Sequence, residues 1–173
     1  MTGQASSGPA ITNHRAEYAQ FCAALGIFFV GALVYLFDRS GTDIYFIPEW
    51  WRFADGTPAL FGTLGHSLPS LAHVYCFILL TSALLTPWQI APQMICVSWF
   101  AADAFFELGQ IDPVATGISA MLPAWFADWP ILENVPGYFL RGSFDPFDLM
   151  FIGLGAAAAY FTICFLNRIG GHD

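Results

Sequence analysis

From Gly56 to Ala102 the chain carries no Asp, Glu, Lys or Arg. So long an uncharged run does not suit the half-polar surface of a water-soluble domain. It also exceeds a single membrane crossing, which takes about 20 predominantly apolar residues. Thr86-Pro87 and Pro92 break the run, since proline ends or restarts helices. It therefore divides into two apolar helices, about 67–86 and about 88–110. Pro69 falls in the first turn of the earlier one, where its missing N–H costs little.

Two further runs are long enough to cross a bilayer. Tyr18 to Phe37 (YAQFCAALGIFFVGALVYLF) has no charged residue, and at about 1.5 Å per residue it reaches about 30 Å. Glu17 precedes it and no A-x-A cleavage pattern follows, so it reads as a retained helix rather than a cleaved leader. The last run covers about 147–167. Its segment Gly153 to Ala159 (GLGAAAA) offers a small-residue face on which another backbone can approach closely. Residues 111–146 contain several prolines, Trp125, Trp129 and interspersed acids. They read as an interfacial segment with the tryptophans at headgroup level. Trp50, Trp51 and Tyr45 in the first long loop suit the same zone.

The expected architecture is therefore all-α: a four-transmembrane-helix bundle with an interfacial segment between helices three and four. A mobile tail over 1–16 precedes a single membrane domain over 17–168, and 169–173 form a short C-terminal tail. The composition agrees. Charged residues are 10% of the 173, against about 25% in soluble domains, and mean hydropathy is +0.59. There is no Lys, and the net charge is −8, which excludes a basic nucleic-acid-binding surface. Cys22, Cys76, Cys96 and Cys164 fall in separate apolar runs without CxxC spacing. They are expected to pack as small apolar residues rather than to form disulfides or bind metal.

Four crossings put both termini on one side. The tails carry Arg15 and Arg168, and the long loops carry Arg39, Arg52 and Arg141. The Arg count is nearly balanced, and the expectation adopted is termini in the cytoplasm and long loops outside, in an inner membrane. Alternating direction then brings one set of ionisable residues to the long-loop side. Helix two starts at that side, so His66 and His73 lie near it. Asp103, Glu107 and Gln110 lie in the last part of helix three, and Arg141, Asp145 and Asp148 at the entry to helix four. Asp103 and Glu107 are i, i+4, Gln110 is three further on, and at about 100° per residue all three fall in one narrow sector of helix three. An acid at mid-membrane costs about 2.5–3.5 kcal/mol on insertion scales, so this edge is expected to face inward. There it meets His73 or Arg141, or else stays protonated. Simpler roles compete: Glu107 and Gln110 as interfacial residues, Asp145 and Asp148 as helix-start charges, His66 as an interfacial side chain and Arg141 as a headgroup anchor.

Three stretches resemble the VanZ-like family. SLAHVYCFILLTSALL (Ser70 to Leu85) is similar to its His-containing second helix. FELGQ (Phe106 to Gln110) resembles its Glu-x-x-Gln signature. RGSFDPFDLMFIGLGAA (Arg141 to Ala157) resembles its Arg…Asp entry into the last helix. The resemblance covers roughly 67–166. The family often has Asp-Lys before its His, where this chain has Pro69-Ser70, and only a few residues between its Gln and Arg, where about thirty stand here. It implies an envelope-associated role, linked in the family to teicoplanin-type glycopeptide resistance, with no assigned reaction. It also implies that His73, Glu107, Gln110, Arg141 and Asp148 are the residues that matter.

The expected function is a small integral membrane protein whose cluster of His73, Asp103, Glu107, Gln110, Arg141 and Asp148 binds a polar lipid head or envelope component in the outer leaflet. In that scheme Arg141 meets an anionic group, and Glu107 with His73 can move a proton; whether a reaction occurs stays open. The alternative is a structural or accessory subunit of a larger membrane complex, with the cluster as interhelical glue. The expected partners are membrane lipid and protein partners within the membrane, not nucleic acid. No cofactor is expected: His66 and His73 share one helix face and cannot ligate opposite sides of one iron, and His14 and His172 lie in the tails. No metal is expected either, because His73, Asp103 and Glu107 have no ligand-spacing signature. A transporter is disfavoured by the absence of an inverted repeat.

Overall fold

The computed structural model describes residues 14–38, 61–62, 64–129 and 132–170. Every regular element among them is helical. The helices are α1 (His14–Phe37), α2 (Leu64–Leu84), α3 (Pro92–Leu108), α4 (Asp112–Met121), α5 (Val135–Arg141) and α6 (Pro146–Gly170). Three of them, α1, α2 and α6, are long and apolar enough to cross a membrane. At 17 residues, α3 is about 25 Å long, and it meets α4 at a bend of 102°. The bent pair makes a fourth crossing only if it is taken as one broken span.

The helix ends differ from expectation for local reasons. The third helix begins at Pro92 rather than 88, because a proline four residues into a helix would lack a hydrogen bond and strike the preceding turn. The residues before it form a tight 3-10 turn over Thr86–Trp88, closed by Gln89 in the left-handed region at φ 51°. The helix stops at Leu108, where Gly109 begins the bend, so it does not reach Gln110. At the N-terminus, residues 14–16 of the expected tail already belong to α1, and His14 Nδ1 lies 3.1 Å from Glu17 Oε2 one turn on. At the other end α6 runs to Gly170, into the expected tail. Residues 1–13 and 171–173 lie outside the described residues, as do Tyr45, Trp50, Trp51 and most of the first loop.

The second helix, α2, is central: it packs chiefly against α1 and α6, and less closely against α3. The shared core includes Ala24 of α1, Val74, Ile78 and Leu79 of α2, Ile95 of α3 and Ala159 of α6. The small-residue run of α6 is used as its composition implies. A Cβ on Gly155 would strike Val74 and come within 2.7 Å of the Leu71 carbonyl oxygen, so only glycine lets these backbones meet. Farther along, the Tyr75 hydroxyl lies 3.0 Å from Thr162 Oγ1, and the rising order of both pairs makes α2 and α6 parallel. The third helix runs the other way: Gln93 Nε2 donates to the Tyr160 hydroxyl at 3.1 Å, while Glu107 meets Asp145. The start of α2, the end of α3 and the start of α6 therefore share one end of the bundle.

All four cysteines are free; Cys76 and Cys96 are buried, but Cys22 is exposed and does not pack in the core. Beyond the bend, α4 and α5 pack on each other, and Trp125 and Trp129 are exposed.

Candidate functional site

Two parallel stripes build the site. On α2, His73, Phe77 and Thr81 stand at i, i+4, i+8. On α3, Trp99, Asp103 and Glu107 do the same. Each set lines one helix face. Facing each other, they form a ladder. Trp99 Nε1 donates to Thr81 Oγ1 at 2.9 Å. The Phe77 ring lies 4.8 Å from Trp99 and 4.5 Å from the His73 ring, tilted against both. His73 Nδ1 lies 3.0 Å from Asp103 Oδ2. The carboxylate is buried, with 10% of the Asp103 side chain exposed, whereas 53% of the His73 side chain is exposed. With Asp103 as a carboxylate, which can only accept, and His73 as a neutral ring, Nδ1 carries the hydrogen and Nε2 keeps the lone pair.

One turn farther along α3, Glu107 is also buried. Its Oε1 accepts the backbone N–H of Asp145 at 2.7 Å, which ties the end of α3 to the start of α6. Asp145 is the cap of that helix: its Oδ1 accepts the Phe147 N–H at 2.9 Å and its carbonyl accepts Asp148 N–H at 3.0 Å. Pro146 takes the first helical position, where no donor is needed. The capping role anticipated for both acids thus belongs to Asp145. Asp148 lies in the first turn, and its Oδ1 is buried with no hydrogen-bond partner among the described residues. Such an atom is uncommon enough to call for a reason.

Of the remaining candidates, Gln110 sits differently from expectation. Gln110 lies past the end of α3, and its Nε2 donates to the Tyr138 hydroxyl of α5 at 3.0 Å. Arg141 ends α5, five residues before α6 begins, and it is exposed. Its guanidinium lies over Gly137, where an added Cβ would come 2.6 Å from Nη2. The structure therefore joins His73 to Asp103, Glu107 to Asp145, and Gln110 to α5. Of the partners foreseen for this face, His73 meets Asp103, and Oε1 of Glu107 is taken by the Asp145 N–H.

Sequence reasoning missed Phe77, Trp99 and Tyr138. The first two could have been found by extending the i, i+4 stripes from His73 and Asp103. Tyr138 had no such signal, because the bend and the return of α5 decide its place. Phe139 beside it is buried and stacks on Phe106 at 5.9 Å, which docks α5 against the end of α3. His66 is exposed, seven residues before His73 on α2. Among the described residues no three His, Cys, Asp or Glu side chains are grouped to hold a metal ion.

Comparison of the chain with protein-family models, with curated proteins and with solved structures finds no match.

Proposed function

We propose that this chain is a multi-pass integral membrane protein of the VanZ-like type, seated in an inner membrane with cytoplasmic termini, whose polar end binds a lipid head or envelope component. The observation that carries this reading is the burial of Asp103 and Glu107 on one face of an otherwise apolar helix, each bonded to a neighbouring element. Two acids held inside a bundle of this hydropathy are costly to insert, and residues of that kind are functional candidates by default. The exposed Arg141 and the exposed tryptophans at 125 and 129 suit a headgroup zone at the same end.

The test replaces Glu107 and Arg141 by alanine in cells, with the amount of protein followed by immunoblot. Altered sensitivity to glycopeptide and other envelope-directed drugs at normal protein level is the expected result. Unchanged sensitivity at normal level would remove the envelope role.

An accessory-subunit reading is favoured by a separate observation. An apolar groove of about 490 Å³ runs between α3 and α6, lined by Val97, Phe100, Gly153 and Ala157 among others. Its small residues would admit a partner helix. Mild-detergent purification distinguishes the two: a stoichiometric co-purifying membrane protein supports the subunit reading, and a bare chain opposes it.

A further inference from the structure

We infer that the His73–Asp103 pair is an acceptor site for the hydroxyl head of a membrane-soluble amphiphile, which reaches it sideways between α2 and α3. This rests on the lipid-head reading above and narrows it to one chemical class. Three observations carry it. First, the imidazole is half exposed while the carboxylate that holds it is buried, so Asp103 supports one ring nitrogen and leaves the other unused. Asp103 is then a positioning residue: it fixes the hydrogen on Nδ1 and leaves Nε2 to accept. Among the described residues Nε2 has no hydrogen-bond partner. Second, the site is within lateral reach. Asp103 lies five residues from the end of α3, about 7.5 Å along the helix axis. The two helices touch each other less closely than α2 touches α6. The Phe77 and Trp99 rings below the pair provide an apolar floor for the first part of an alkyl chain.

Third, the balance of donors and charges selects the class. Asp103, Glu107, Asp145 and Asp148 all gather at this end, and Asp148 Oδ1 is a second buried acceptor with no described partner. It stands seven residues before Gly155 on α6, and i, i+7 spacing places it on the same face, the one that packs on α2. The Arg141 guanidinium is drawn over its own helix at Gly137. Acceptors and carboxylates favour a neutral donor such as an alcohol and oppose a phosphate monoester, which would bring like charge to a partly desolvated site.

The test uses the full chain with 15N-labelled histidine in phosphatidylcholine nanodiscs, with the His73 ring resonances assigned by His73→Gln. Three probes are added separately: dioleoylglycerol, its 3-O-methyl ether and dioleoyl phosphatidic acid. The expected result is a saturable shift of the His73 Nε2 resonance with dioleoylglycerol alone, since the ether has lost the donor. In Asp103→Asn the side-chain NH2 can donate to Nδ1, which moves the ring hydrogen to Nε2; the tautomer pattern should invert and the response disappear. A shift with phosphatidic acid and none with dioleoylglycerol would overturn the hydroxyl class and leave the lipid-head reading standing. No shift with any probe would overturn both. A dioleoylglycerol response that persists in Asp103→Asn would overturn the positioning role and with it the inference.

Discussion

Asp103 and Glu107 meet the same cost in two ways. Each removes a carboxyl group from water, and each is compensated by a hydrogen bond from another element. Asp103 bonds a side chain that is half exposed. Glu107 bonds a backbone N–H that has no other use at the first turn of a helix. The two substitutions at 107 therefore differ. Glu107→Gln keeps an amide oxygen able to accept from Asp145 and should change stability little. Glu107→Ala leaves that N–H without its acceptor, at a cost of about 1–3 kcal/mol. Thermal unfolding of the detergent-solubilised protein measures both. Equal destabilisation by Gln and Ala would mean that charge, not hydrogen-bond acceptance, is what Glu107 contributes.

At the scale of elements, α6 is distinguished by two glycines with opposite demands. Gly155 meets the α2 backbone so closely that any side chain must push the helices apart, whereas a Cβ at Gly153 would meet Phe100 at an ordinary 3.7 Å. Gly155→Val should therefore destabilise by about 1–3 kcal/mol through overpacking, and Gly153→Ala should leave the unfolding temperature nearly unchanged. Similar losses from both would show that α2 and α6 are not packed along this seam. The run Gly153 to Ala159 made such a contact legible in the sequence, because small residues at helix interfaces have a direct steric meaning. The uncharged stretch from Gly56 to Ala102 and its prolines likewise revealed two helices and the break between them. The bend after Leu108 was not legible. Glu107 and Gln110 fit one continuous helical face, and no proline stands between them; the turn depends on Gly109 and on α5 returning with Phe139 to pack on Phe106. The change of place of Gln110 follows from that bend. The pairing of His73 with Asp103 was half legible: periodicity gave the facing of the acids, but which acid lies level with His73 depends on the loop length and offset set by the turn over Thr86–Trp88.

The whole molecule combines an apolar exterior with a polar end closed by α2, α3 and α6. Large hydrophobic side chains are exposed on every long helix, among them Phe28 and Phe29 on α1, Phe105 and Phe106 on α3, and Phe161 and Phe165 on α6. Such a surface suits acyl chains rather than water. The charged residues of the helices are concentrated near their ends or turned inward, as insertion energetics require. On α3 the two demands are side by side: Phe105 and Phe106 point out, and Asp103 and Glu107 point in. The most direct measurement is a spin-label scan of residues 103, 105, 106 and 107 in lipid nanodiscs, read by collision with oxygen dissolved in the bilayer. The label at 105 should collide readily, the one at 106 less so because Phe139 stacks beside it, and labels at 103 and 107 should be shielded. High oxygen accessibility at 103 and 107 would put the acids against lipid and contradict the inward-facing polar end.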